Sequence, residues 1–227
     1  MRDGDGVEMK NYEGIYNRYV KRVFDILLSG FAMVVFCWLY AIIAVLVRIF
    51  LGSPVIFSQE RPGRIDPKKG EAKIFRLYKF RSMTNETDEN GKLLPDSKRL
   101  TKFGKFLRAT SLDEIPEAWN ILKGDMSIVG PRPWLVRYLK LYTDYEMQRQ
   151  LVRPGLTGWA QVNGRNAAGW EERFNYDVEY VQKVSFPLDV KIILISIKNV
   201  FAHKDIEFNE DHQTMGRYFK EKRERSE

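Results

Sequence analysis

The sequence predicts a mixed α/β chain: a small helix-and-strand body carried on an N-terminal membrane helix, with amphipathic helices suited to a lipid interface. Three observations predict it. An uncharged apolar run stands near the N-terminus, short β-branched and aromatic stretches follow it, and helical periodicity of apolar residues fills the second half. The body is polar enough to bring the mean hydropathy of the whole chain to -0.38, so the apolar run is a discrete anchor. The divisions expected are a polar segment over 1–20, an anchoring helix over 21–52 and the body over 53–227.

The anchor is Ile26 to Val47, ILLSGFAMVVFCWLYAIIAVLV. As a helix it would be roughly 33 Å long, enough to cross a bilayer. It exceeds a secretory apolar core and no small-x-small cleavage motif follows it, so it is expected to persist in the mature protein. Lys21 and Arg22 precede it, and Arg48, Arg61, Arg64, Lys68 and Lys69 follow, so the positive-inside rule gives a single span no direction. The residues alone rank a plain span first, then a re-entrant helix bent near Ser29, Gly30 or Cys37-Trp38, and last a buried soluble helix.

Beyond the anchor, Gly52-Ser53-Pro54 stops the helix. Val55 to Phe57 and Ile74 to Phe80 read as short strands around a turn-rich stretch holding Arg61-Pro62-Gly63, a small hairpin. Asn85 to Arg99 reads as a mobile surface loop. Leu112 to Leu122 reads as a short helix ended by Gly124, and Trp134 to Leu151 as a longer amphipathic one with Leu135, Tyr138, Leu139, Tyr142 and Tyr145 on one side. Arg153 to Asn166, RPGLTGWAQVNGRN, suits either a ligand-contacting loop or a structural connector. Val190 to Phe201 places Val190, Ile193, Leu194, Ile197, Val200 and Phe201 together, a face that lies on a core by default or else in a membrane interface. The tail from Arg217 is expected to fray.

Composition removes several function classes. One cysteine excludes an internal disulfide and any zinc site built from several thiolates. Two histidines, His203 and His212, sit late and beside no nucleophile pattern, leaving histidine triads without support. Neither GxxxxGK[ST] nor GxGxxG occurs. Thirty-seven Lys and Arg against thirty Asp and Glu give a net charge of +7, which favours anionic partners.

The best candidate for chemistry is Ser111-Leu112-Asp113-Glu114-Ile115-Pro116. Ser111 as N-cap would complete a capping box with Glu114; Asp113 as N-cap would put Pro116 in the first turn. Either frame sets both carboxylates at a helix N-terminus, where the macrodipole favours their ionised forms. An ionised aspartate is a usable nucleophile, and a neighbouring glutamate suits Mg²⁺, which takes one or two carboxylates plus substrate phosphates. From the hexapeptide alone, ordinary capping is the better reading. Ten residues beyond the two carboxylates begins the block Gly124 to Pro133, whose Gly130-Pro131-Arg132-Pro133 end displays Arg132 from a stiff loop, equally suited to phosphate recognition and to a rigid turn. Lys79, Arg81, Arg108, Arg153 and Arg165 add cations that singly read as solvated or salt-bridged surface residues.

These blocks resemble the bacterial sugar transferases, the small polyprenol-phosphate phosphoglycosyl transferases. The resemblance covers about Lys21 to Phe201. It is carried by KRVFD, PVIFSQERPG, FRLYKFRSM, TSLDEIPEAWNILKGDMSIVGPRP, VRPGLTGWAQVNGRN and YDVEYV with PLDVKIIL. It implies an α/β body on a re-entrant helix, with its active site on the cytoplasmic face of the bacterial inner membrane. It also implies that Asp113 attacks the sugar-linked phosphorus of a UDP-sugar, releasing UMP, before polyprenyl (undecaprenyl) phosphate takes the phosphosugar to begin a surface glycan. Glu114 would hold Mg²⁺, and Lys79 and Arg132 would hold the diphosphate. Arg153, Gln161, Asn163, Arg165 and Asp177 fall in matching blocks as further substrate-binding candidates. Many small members carry Ser-Pro in mid-anchor where Cys37-Trp38 stands here; even so, the resemblance places the re-entrant helix ahead of the span. Nucleic acid is not an expected partner. The rivals are a metal-dependent membrane glycosyltransferase releasing UDP and a non-enzymatic, tethered basic binder.

Overall fold

A computed structural model describes residues 11–163, 169–201 and 211–224. The apolar run does not form one rod. It forms α1 (Lys21–Val35) and α2 (Cys37–Leu51), bent by 65° at Phe36. No single described helix is long and apolar enough to cross a membrane, although the pair together passes by length and composition. The single straight helix expected from the residues alone is therefore replaced by a bent pair, a geometry shared by a broken span and a re-entrant loop. The bend follows from where each helix is fastened. Lys21, Asp25 and Ser29, four residues apart, form a polar stripe that α1 buries against the body, while α2 buries Ile43, Val47 and Leu51 in a separate cluster with Phe80 and Leu107.

The outward face of α1 is apolar. Leu27, Phe31 and Val34 are 61%, 65% and 75% exposed, the reverse of a soluble surface helix. The polar face is used up inside: Lys21 pairs with Asp189, which also accepts from Tyr16 (2.6 Å) and Tyr180 (2.7 Å). Asp25 Oδ1 accepts from Ser127 Oγ at 3.0 Å and the Ile128 amide at 2.9 Å. Arg22, expected as a basic flank, instead donates to the carbonyls of Ile121 and Leu122. Helix also begins earlier than residue 21, because a π-helical turn over Tyr16–Val20 runs into α1.

β1 (Ile56–Ile65) and β2 (Ala72–Phe80) form the expected hairpin, antiparallel but longer. Arg61-Pro62-Gly63 lies within β1 and not in the turn; the missing proline amide is tolerated beside an irregularity between Pro62 and Ile65. The turn is Asp66 to Gly70, where Gly70 supplies φ +69 and its amide donates to the Asp66 carbonyl at 2.8 Å. Asn85 to Arg99, expected as a mobile surface loop, contains a Thr87–Leu93 bridge and ends in the short α3 (Asp96–Arg99). Asp88 accepts from the Asn90 and Lys92 amides, closing its turn.

Next come α4 (Lys102–Ala109), capped by Thr101, and α5 (Glu117–Lys123), ended by Gly124 at φ +89. β3 (Ser127–Val129) pairs in parallel with β4 (Gly155–Thr157). Between them, the helix expected over Trp134–Leu151 is broken into a 3₁₀ stretch (Val136–Leu141), α6 (Asp144–Met147) and another 3₁₀ turn (Gln148–Leu151). Thr143 and Glu146 form a full capping box there, which starts a new helix where the apolar pattern alone reads through.

α7 (Trp159–Asn163), α8 (Trp170–Lys183), α9 (Phe186–Phe201) and α10 (Asp211–Glu224) complete the chain. Most of the α9 face assigned to a core by default is outside: Val190, Leu194, Ile197 and Val200 are exposed, Ile193 is part-buried against the core, and Asp189 and Ile192 are the helix's buried residues. The tail is helical, and Met215 and Phe219 join Trp134, Tyr138, Trp170 and Phe174 in one cluster. An apolar pair four residues apart, Met215 and Phe219, within a charged segment is what anchors it.

Candidate active site

Lys79 on β2 is the hub. Its ammonium meets Glu114 at 2.5 Å and Glu117 at 3.0 Å, and Arg132 reaches the same Glu114 oxygen at 3.1 Å. Three separate segments supply these groups: the hairpin, the Leu112–Glu114 3₁₀ turn that leads into α5, and the loop after β3. Asn120, fully buried in mid-α5, fixes their spacing. Its Oδ1 accepts from the Tyr78 amide at 3.0 Å and its Nδ2 donates to the Arg76 carbonyl at 2.7 Å, clamping α5 onto β2.

Neither capping frame for Ser111 to Pro116 occurs. Ser111 adopts φ +55 and makes no side-chain cap, and Pro116 itself is the residue before α5. The left-handed Ser111 turns the backbone so that Asp113 and Glu114 face the cations. The electrostatics also differ from the dipole argument. Burial and the Glu114 charge push Asp113 up to about 6, against Lys79, Arg108 and Arg132. Burial would raise Glu114 too, but Lys79 and Arg132 outweigh it and hold Glu114 at about 2. Burial pushes Glu117 up to about 7, with Lys79 opposing and Glu114 adding to the shift. One carboxylate is firmly ionised and two are poised nearer neutrality.

Arg132 is held by its own backbone. Arg149, fully buried, donates to the Arg132 carbonyl at 2.6 Å, and Arg61 donates to the Pro133 carbonyl at 3.0 Å. Gly155 lets this loop approach β4: a Cβ there would strike the Gly130 amide. The RPGLTG glycines are thus spent on backbone packing.

Asp113, Glu114, Lys79 and Arg132 are brought together. Asp177 is buried behind them, bound to Arg149 at 2.7 Å, so its connection to the centre runs through Arg149 and the Arg132 backbone. Gln161 donates to the Leu156 carbonyl and exposed Asn163 to the Trp159 carbonyl, both within the α7 region. Arg153 lies at another cavity with Arg64 and Lys73. Arg165 falls outside the described residues. Sequence reasoning missed Glu117, Arg61, Asn120 and Arg149. Glu117 sits three residues after Glu114 and carried a signal in that spacing; the other three act through backbone contacts that no residue pattern displays.

The family model described as bacterial sugar transferase matches residues 16–203. The chain is similar to the uncharacterized sugar transferase EpsL of Bacillus subtilis, at 46% identity over 88% of this chain and 95% of that one. It is also similar to the UDP-glucose:undecaprenyl-phosphate glucose-1-phosphate transferase of Escherichia coli, at 38% identity over 83% of this chain and 41% of the relative. A third relative is the UDP-N-acetylgalactosamine-undecaprenyl-phosphate N-acetylgalactosaminephosphotransferase of Aeromonas hydrophila, at 36% identity over 81% and 44%. The chain spans about two fifths of the length of those last two proteins.

Proposed function

The chain belongs to the bacterial sugar transferase family, and on that premise we propose that it moves a sugar-1-phosphate from a UDP-sugar to undecaprenyl phosphate through Asp113. The observation that carries the reading is the convergence of a buried carboxylate, Asp113, with Glu114, Lys79 and Arg132 from three segments. Without substrate, Glu114 neutralises the two cations. A diphosphate offers Lys79 and Arg132 better-matched oxygens, freeing Glu114.

Glu114 fits a Mg²⁺ ligand by its chemistry: an ionised, hard oxygen donor beside the place where a diphosphate would lie, although among the described residues no cluster of three or more acidic, histidine or cysteine ligands occurs. When bound, such an ion supplies charge neutralisation on the phosphates. Asp113 then attacks the phosphorus that carries the sugar. The Asp113 Oδ–P bond forms as the bridging P–O bond breaks, and UMP leaves with the bridging oxygen. An oxygen of undecaprenyl phosphate attacks the same phosphorus and displaces Asp113. Lys79 and Arg132 hold the charge spread over the equatorial oxygens, which is most of what phosphoryl transfer asks of a protein.

The re-entrant reading of α1 and α2, with the body on the cytoplasmic face of the inner membrane, is supported by the 65° bend and the apolar outer faces. Intact mass after mixing the protein with Mg²⁺ and a panel of UDP-sugars, without lipid, tests the chemistry. A phosphosugar adduct on Asp113 with release of UMP is expected. Release of UDP, with no adduct, would establish a glycosyltransferase instead.

A further inference from the structure

A second cavity, of about 190 Å³, opens where the turn end of the hairpin meets the end of α5. It is separated from the Lys79 centre by Phe75, Leu77, Ile121 and Met126, all buried, and the two cavities share no lining residue. Its volume is more than ten times the roughly 10–15 Å³ that one water needs. It is lined by Arg64, Lys73 and Arg153 and by two carboxylates, Asp66 and Asp125.

The carboxylates are already engaged. Asp125 pairs with Lys73 at 3.2 Å and Lys123 at 3.0 Å, and Asp66 Oδ1 accepts from the Lys68 amide within its own turn. The carbonyls at the end of α5, which would repel an anion, are covered: Arg22 takes those of Ile121 and Leu122, and Arg153 Nε takes that of Gly124. Asp25 spends its Oδ1 on Ser127 and Ile128 and forms no ion pair with Arg153. Arg64 makes no hydrogen bond or ion pair among the described residues, and its Nε is buried without a partner. Arg64 as a whole is only part-buried, so its guanidinium can still take an anion from the cavity. Burial, together with the like charges of Arg22 and Arg64, lowers the Arg153 pKa even though Asp25 opposes the shift, so three guanidinium groups crowd this corner.

We propose that this cavity is a second anion site, in which Arg64 and Arg153 clamp one phosphate group and Lys73 closes its open side. Guanidinium forks match phosphate oxygens two at a time. The phosphate would come either from a soluble phosphate compound or from a lipid headgroup.

The test uses the full chain in detergent, titrated with inorganic phosphate by calorimetry. Two binding events are expected, one at Lys79 and Arg132 and one here. Arg64→Gln and Lys73→Gln should each weaken the second event at least tenfold and leave the first, while Lys79→Gln should do the reverse. Lys73 is 70% exposed, so its variant keeps the fold even if Arg64→Gln does not. Flotation with phosphatidylcholine vesicles, with and without phosphatidic acid, identifies the source. A drop in phosphatidic acid binding in both variants assigns a headgroup, and unchanged flotation with a lost phosphate event assigns a soluble phosphate. Phosphate titrations of Arg64→Gln and Lys73→Gln that match the unaltered chain would overturn the proposal.

Discussion

Burial and the Glu114 charge raise Asp113 to about 6, so above that pH the folded chain holds an ionised carboxylate in an unfavourable place. The folded value lies above the unfolded one. Between about pH 4 and 6 the folded chain therefore keeps a proton that the unfolded chain has released, and stability falls as pH rises through that window. Asp113→Asn should remove this slope and raise stability at pH 8 by about 1–3 kcal/mol, read from the thermal midpoint. Glu114 behaves oppositely: it contributes stability above its unfolded value and loses it as pH falls toward about 2. The same Asp113→Asn variant should lose about 10³-fold or more in turnover and form no adduct, since an amide is no nucleophile. In the unaltered chain, kcat/KM should climb as pH rises through about 6 because the attacking form is the carboxylate; a profile flat from pH 5 to 8 would count against Asp113. The identity of this residue was legible in the hexapeptide and its resemblance, but its environment was not. A linear pattern shows two acids near a proline and so the Glu114 charge beside Asp113, whereas the burial that contributes most to the raised pKa exists only once the chain is folded.

At the scale of elements, the Arg132 loop is fastened through its backbone, by Arg149 on the Arg132 carbonyl and Arg61 on that of Pro133. Asp177 on α8 holds Arg149, and Arg149 holds the Arg132 carbonyl, so a helix remote from Lys79 and Glu114 sets the position of the proposed phosphate ligand. Arg149 also lies over the rings of Tyr142 and Phe174, which excludes water from the pair. Asp177→Asn leaves a buried guanidinium uncompensated and should cost about 3–5 kcal/mol, measured by denaturant titration. Arg149→Lys keeps the charge but loses the fork. Its expected signature is a KM for the UDP-sugar raised about tenfold or more at nearly unchanged adduct yield under saturating donor. The hairpin, α5, its Gly124 stop and α9 were legible because apolar spacing and turn residues report local geometry. Trp134–Leu151 was misread because a capping box interrupts an apolar period that continues past it. The buried side chains of α10 were missed because a few aromatics among many charges decide whether a tail docks.

For the whole molecule, the outer faces of α1 and α9 form one exposed apolar surface, joined where Phe24 stacks on Phe186 at 5.5 Å, which the proposed function turns toward lipid. Leu194 and Ile197 continue it along α9 at 62% and 49% exposure. Such a surface has two separable uses, stability and access to the acceptor. The polar stripe Lys21, Asp25 and Ser29 already fastens α1 inward, so charges added to the outer face of α9 touch no core contact. Membrane confinement matters only for the step that meets a lipid-borne acceptor, because it raises the effective concentration of that partner. The UDP-sugar arrives from water. Leu194→Glu with Ile197→Glu should therefore leave the thermal midpoint and Asp113 adduct formation near their unaltered values, while transfer to undecaprenyl phosphate in vesicles falls about tenfold or more. Equal losses in both half-reactions would mean that α9 supports the fold or the donor site instead, and the lipid-facing assignment of that helix would fail.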